Sequence, residues 1–277
     1  MPLPSHSLVT TAARRRAFLA LGAAVGGGLA LGGPAWAAPR APLAAAINRA
    51  ARFRALSQRM AKAYALLLLD VEAKGAQAAL GTSRKLAAAG FEELDRGGWG
   101  AEVAALLTPL HRSFDAFDAA LARPLSREGL ADVSRHSNQV LVAADLLTEA
   151  LERQSSSAGD RLVNLAGRQR MLSQRLAKNY CLVAAGLDDA TVQEQRRLDV
   201  EEFRRTLSAL AQAPATTGAI RADLQAGEAQ WVFYEAALVR TPDPRGVRNV
   251  AMASERMLEI MDGMVVKYEA AATAAAA

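Results

Sequence analysis

Residues 48–64 read NRAARFRALSQRMAKAY and residues 164–180 read NLAGRQRMLSQRLAKNY, near-copies 116 residues apart, each inside a long stretch without a carboxylate. Residues 41–69 hold five basic residues and no acid, and residues 161–187 repeat that count. A self-similar period of this length implies a chain built of two like halves. The similarity extends further. Arg84-Lys85-Leu86 with Phe91 resembles Arg196-Arg197-Leu198 with Phe203. Ala119-Ala120-Leu121 matches Ala236-Ala237-Leu238, and Val133, Ser137 and Leu141 match Val250, Ser254 and Leu258.

Both halves read as helix. The chain is 51% hydrophobic but only 5% aromatic, rich in Ala and Leu and poor in β-branched residues, which favours helix over strand. Breakers divide the first half into helices over 41–73, 77–95, 100–122 and 126–153, separated by Gly75, Gly97-Gly98 and Arg123-Pro124. The second half divides into 160–186, 189–212, 217–240 and 244–272, and the terminal AAATAAAA is expected to fray. The expected fold is all-α: two tandem up-down four-helix bundle repeats, 38–154 and 160–277, joined by a linker at 155–159. They pack either as separate bundles or as one array paired like a dimer.

The repeated stretch, placed on a helix at about 100° per residue, sorts into three faces. Phe53, Leu56, Ser57, Met60, Tyr64 and Leu67 form a core face, with Gln169, Leu172, Ser173, Leu176, Tyr180 and Val183 in the second copy. Asn48, Arg52, Arg59 and Lys62, with Asn164, Arg168, Arg175 and Lys178, form a polar face. It is either solvated or a basic rim that concentrates anions. On the third face Ile47, Ala50, Ala51, Arg54, Gln58, Ala61 and Ala65 match Val163, Ala166, Gly167, Arg170, Gln174, Ala177 and Cys181. Small residues at helical spacing let another helix approach closely, so each copy is expected to embed one Arg, with a Gln one turn on, in a helix contact.

An embedded guanidinium keeps its charge, and left unpaired it costs several kcal/mol. Its own helix supplies no acid. Arg54 and Arg170 therefore need either a carboxylate from another helix, such as Glu152, Asp160 or Glu201, or a small planar oxyanion shared between two guanidinium forks.

The N-terminus and composition narrow the function. Arg14-Arg15-Arg16-Ala17-Phe18-Leu19, the run LALGAAVGGGLALG and Ala35-Trp36-Ala37 read as an export signal over 1–37, cleaved near Ala37. The apolar run is shorter than the roughly 20 residues of a membrane span. Arg15-Arg16-Ala17-Phe18-Leu19 is similar to the twin-arginine export motif; an ordinary secretory signal is the other reading. The expected location is the periplasm, with no membrane anchor after cleavage. The whole chain carries 33 basic and 28 acidic residues, a formal +5; without Arg14, Arg15 and Arg16 the figure is +2, too little for a typical nucleic-acid binder. One cysteine, Cys181, and three histidines argue against disulfides and metal sites, and no cofactor motif is present. Ser173 and Cys181 have no His partner in the pattern, so an enzyme is not expected.

The string Asn164-Leu165-Ala166-Gly167-Arg168-Gln169-Arg170-Met171-Leu172-Ser173-Gln174-Arg175-Leu176 closely resembles the first-helix signature of the PilJ-type domain, the type IV pili methyl-accepting chemotaxis transducer N-terminal domain. The same signature occurs in the periplasmic sensors of the NarX/NarQ-like nitrate/nitrite kinases. That resemblance implies a dimerising four-helix bundle with nitrate held between paired first helices by the Arg of the Arg-Met pair. Carried over, the ligand-binding residues are Arg170, with Gly167 and Met171 beside it, and Arg54 from the first copy, with Ala51, Gln58 and Gln174 around them. The secondary basic face is Arg52, Arg59, Arg168 and Arg175. The first copy departs from the pattern in having Ala51 for Gly167 and Ala55 for Met171. The implied function is an exported sensor or binding protein for a small oxyanion, nitrate or nitrite first, reporting occupancy to a protein partner. The other reading is a helical protein–protein interaction module without a small-molecule ligand.

Overall fold

The computed structural model describes residues 43–276, and the expected export signal lies outside them. Among the described residues there are eight helices and no strand: α1 (Leu43–Leu68), α2 (Ala73–Asp95), α3 (Ala101–Leu121), α4 (Arg127–Arg153), α5 (Ala158–Ala184), α6 (Ala190–Gln212), α7 (Gly218–Leu238) and α8 (Pro244–Ala276). The all-α helical-bundle expectation is met. None of these helices is long and apolar enough to cross a membrane.

Local chemistry sets most boundaries. Ser126, Ser157, Asp189 and Thr217 cap α4, α5, α6 and α7 by accepting from the backbone N–H of Gly129, Gly159, Val192 and Ile220. Gly186, at φ 76°, closes the turn after α5. Gly75, expected as a breaker, instead lies inside α2. The turn before that helix is made by Asp70 and Glu72, both at φ 51°, a left-handed conformation that Asp adopts more readily than Glu and that glycine usually supplies. The Ala-rich C-terminus, expected to fray, continues α8 to Ala276.

Helices α1 and α5 form the centre and make the most extensive contact of any pair. Helix α1 also packs on α2 and α4, and α5 on α6 and α8; α3 closes on α4, and α7 on α8. The order of contacts gives the directions. Arg54, Gln58 and Tyr64 meet Asp145, Ser137 and Pro124, so α4 runs antiparallel to α1. Arg170, Gln174 and Tyr180 meet Asp262, Ser254 and Arg240, so α8 runs antiparallel to α5. Between the two centres, Ala51 meets Gly167 and, further on, Lys62 meets Gln174, so α1 and α5 are parallel.

Every side chain of the third face is fully buried in both helices, from Ile47 to Ala65 and from Val163 to Cys181. Small side chains permit this: a Cβ built at Gly167 would lie 3.1 Å from the Cβ of Ala51, already tight. The ends of the central helices are held by a recurring tyrosine contact. Tyr64 Oη donates to Pro124 O and accepts from Ser126 N, while Tyr180 Oη lies within hydrogen-bond range of the Arg240 and Thr241 carbonyls. A side chain at Gly129 would meet the Tyr64 hydroxyl, and one at Gly246 the Tyr180 hydroxyl and the Thr241 carbonyl, so both tyrosines depend on a bare glycine.

Candidate functional site

Arg54 and Arg170 are brought together. Both are fully buried, and the side-chain position at Gly167 lies 3.4 Å from Arg170 Nη2 and 3.5 Å from Arg54 Nη2. The parallel packing of α1 on α5 causes this, because residues on the same face of each helix reach the seam at the same height. Like charge at this range is unfavourable. Burial, first, and the neighbouring guanidinium hold the Arg170 pKa below its ordinary value, against the opposing pull of Asp262; burial likewise lowers Arg54, against Asp145.

The charge is balanced from within the chain. Arg54 Nη1 donates to Asp145 at 2.6 Å and Nη2 to Asn164 Oδ1 at 2.7 Å; Arg170 Nη1 donates to Asp262 at 2.9 Å and Nη2 to Asn48 Oδ1 at 2.6 Å. Each asparagine comes from the other central helix and donates onward, Asn164 to Glu152 and Asn48 to Glu269. Of the two alternatives left open by the sequence, a carboxylate from another helix is present: α4 and α8 supply one to each arginine. The partners are not those considered from the sequence. Glu152 holds Asn164, Asp160 accepts from Ser155 Oγ, and Glu201 pairs with Arg197. Asp145 and Asp262 are 117 residues apart, as are Glu152 and Glu269. That is the spacing of Val133 to Val250, and it was the available signal.

The arrangement leaves some bonding capacity unused. Among the described residues, Arg170 Nε is buried without a partner, and Arg54 Nε has only a long contact of 3.4 Å to Ala51 O. The carboxylates are the accessible part: Asp145 and Asp262 are 28% and 44% exposed, whereas the guanidiniums they hold are at 0–1%. Asn164 and Glu152 also line an open polar cleft with Glu149, Arg153, Ser155 and Arg161, so one side chain separates Arg54 from the surface.

The other expected site residues fall elsewhere. Gln58 and Gln174 do not face the arginines; they tie each central helix to its antiparallel neighbour by donating to the carbonyls of Ser137 and Ser254. Met171 is a buried core residue, and Ala51 serves as the close contact opposite Gly167. The polar face is neither a solvated surface nor a free basic rim. Arg59 pairs with Glu255, Arg168 with Glu202 and Arg175 with the buried Asp199, while Arg52 is drawn below its ordinary pKa by burial and by Arg170. Asn48, Lys62 and Lys178 on that face are about 1% exposed. Lys62 ties the halves together: its Nζ donates to Gln174 at 2.7 Å, Ser254 at 2.8 Å and Glu255 at 2.6 Å.

Residues 150–250, from the end of α4 through α5, α6 and α7 into α8, match the family PilJ, described as the type IV pili methyl-accepting chemotaxis transducer N-terminal domain. The matched stretch carries Gly167, Arg170 and Met171 and stops short of Asp262. No curated protein and no solved structure matches the chain. This part of the chain is thus similar to a helical domain of the sensory and signalling kind.

Proposed function

We propose that the protein is an exported sensory domain that binds a small oxyanion, nitrate or nitrite first, between α1 and α5 and reports its occupancy to a protein partner. The observation that carries this reading is the convergence of two buried guanidiniums on one point beside Gly167, each held by a carboxylate that is itself partly exposed. In this reading the two halves are copies of one four-helix unit, so that a single polypeptide builds both sides of the site.

Asp145 and Asp262 act in this scheme as internal competitors. An arriving anion takes N–H bonds from both guanidiniums, and the aspartates move to solvent. Because Asp145 sits on α4 and Asp262 on α8, that exchange loosens α4 and α8 while drawing α1 and α5 together, a small shift of packed helices that a partner can read. The polar cleft at Glu152 and Asn164 supplies a route in.

The rival reading, a helical interaction module with structural arginines, has the two aspartate and two asparagine partners of the arginines in its favour and predicts no response to anions. Melting temperatures separate the two. The sensory reading expects nitrate or nitrite at millimolar concentration to raise the melting temperature of the wild type, as any ligand of the native state does, and not that of Arg54→Lys/Arg170→Lys. Equal shifts in both proteins, or none in either, would favour the rival.

A further inference from the structure

Lys62 and Lys178 occupy matching places on α1 and α5, 116 residues apart, yet their surroundings differ. Lys62 has three acceptors, of which Glu255 is the charged one. Lys178, just as buried, has one, the neutral Asn138 Oδ1 at 3.0 Å. Asn138 stands on α4 where Glu255 stands on α8, 117 residues on. The other matching acceptor is also unused: Gln174 Oε1 accepts from Lys62, whereas Gln58 Oε1 is buried without a partner among the described residues. The half of the molecule around Lys178 therefore holds a buried ammonium without a carboxylate and a buried carbonyl without a donor, and both are costly.

Lys178 itself does not reach the surface, but its acceptor Asn138 does. Asn138 lines a cleft of about 660 Å³ between α4, α5 and α6, walled by Val142, Leu182, Leu187 and Val192 with Arg135 beside them. Its volume suits a small organic molecule. The corresponding cleft between α1, α2 and α8 is lined by Lys62 and Glu255 themselves, so there the chain's own carboxylate reaches the lysine from the cleft side. Glu259 lines that cleft where Val142 lines this one, so this one lacks that second acidic side chain.

We propose that the cleft between α4, α5 and α6 is a second binding site, for a monocarboxylate with an aliphatic or aromatic tail, whose carboxylate takes beside Lys178 the place Glu255 takes beside Lys62. The tail lies along Val142, Leu182, Leu187 and Val192. Asn138 Nδ2 and Arg135 supply further donors, and Asp189 at the edge stays engaged in capping α6. Burial, with Arg175 adding to it and Asp199 opposing, holds the Lys178 ammonium down to about 7, and an incoming carboxylate restores its charge. This site is separate from the arginine pair and stands or falls independently of it.

Isothermal titration with octanoate and benzoate, and with 1-octanol as the uncharged control, tests the proposal. Saturable binding of a carboxylate is expected in the wild type, at least about tenfold tighter than the alcohol. Asn138→Glu, which supplies the chain's own carboxylate, and Val142→Glu, at an exposed position that tolerates charge, should each abolish it. Val142 is 56% exposed, so the second variant keeps the fold if the first does not. No saturable heat with either carboxylate, equal binding of the alcohol, or binding retained in Val142→Glu would overturn the proposal. So would loss of octanoate binding in Arg54→Lys/Arg170→Lys, which would move the ligand to the arginines.

Discussion

Glu255→Ala should lower the stability of the protein by about 2 kcal/mol, what breaking a buried pair costs discounted for the partial exposure of the Glu255 side chain, and so lower its melting temperature by several degrees. Glu255 is shared by two cations of the opposite half: it accepts from the buried Lys62 at 2.6 Å and from Arg59. Its removal leaves the Lys62 ammonium with only Gln174 and Ser254. Because Lys62 lies on α1 and Glu255 on α8, the lost bond is one of those joining the two halves. The effect is pH-dependent with a defined sign. Partial burial raises the Glu255 carboxyl, but Lys62 and Arg59 outweigh it and hold the pKa at about 2 against an ordinary 4.5. A depressed carboxyl stabilises the native state fully above its unfolded value and loses that contribution as pH falls through the folded one. Wild-type stability should thus fall between pH 4.5 and about 2 more steeply than that of Glu255→Gln, as measured by urea unfolding across that range. Parallel curves for the two proteins would remove Glu255 from the account.

The second large effect is expected at the aspartates. Asp145→Asn/Asp262→Asn leaves Arg54 and Arg170 buried without a charged partner, at a cost of about 2 kcal/mol for each position when the exposure of the carboxylates is allowed for. If these aspartates compete with a ligand anion, the same variant should respond more strongly to it. Nitrate should raise its melting temperature by more than it raises that of the wild type, because the ligand no longer displaces an internal carboxylate. A purely structural role predicts destabilisation without any such rescue.

These expectations rest on features that differ in how plainly the sequence carries them. The helices are legible because Ala-rich, breaker-delimited segments leave little alternative, and most ends fall within a few residues of the capped positions. The α1–α2 turn was not, since Asp70 and Glu72 adopt a left-handed conformation with no glycine or proline to announce it. The embedded face was legible from its small residues, and the convergence of Arg54 and Arg170 followed from pairing like faces. Their partners did not follow, because an acid-free helix says nothing about which distant helix supplies the acid. The polar face was misread for the same reason. Asn48, Lys62 and Lys178 look like surface residues by type, but parallel packing of α1 on α5 turns them inward, and Glu269, Glu255 and Asn138 meet them from helices far along the chain. Comparing the two halves position by position would have paired Asp145 with Asp262 and shown Asn138 standing against Glu255.

The central claim is that Arg54 and Arg170 form one anion site and not two. Isothermal titration of the protein with nitrate measures this through its stoichiometry. The account predicts saturable binding of one anion per chain, weakened together by Arg54→Lys and by Arg170→Lys. Two independent sites per chain, each lost with one arginine only, or no binding at millimolar nitrate, would contradict it.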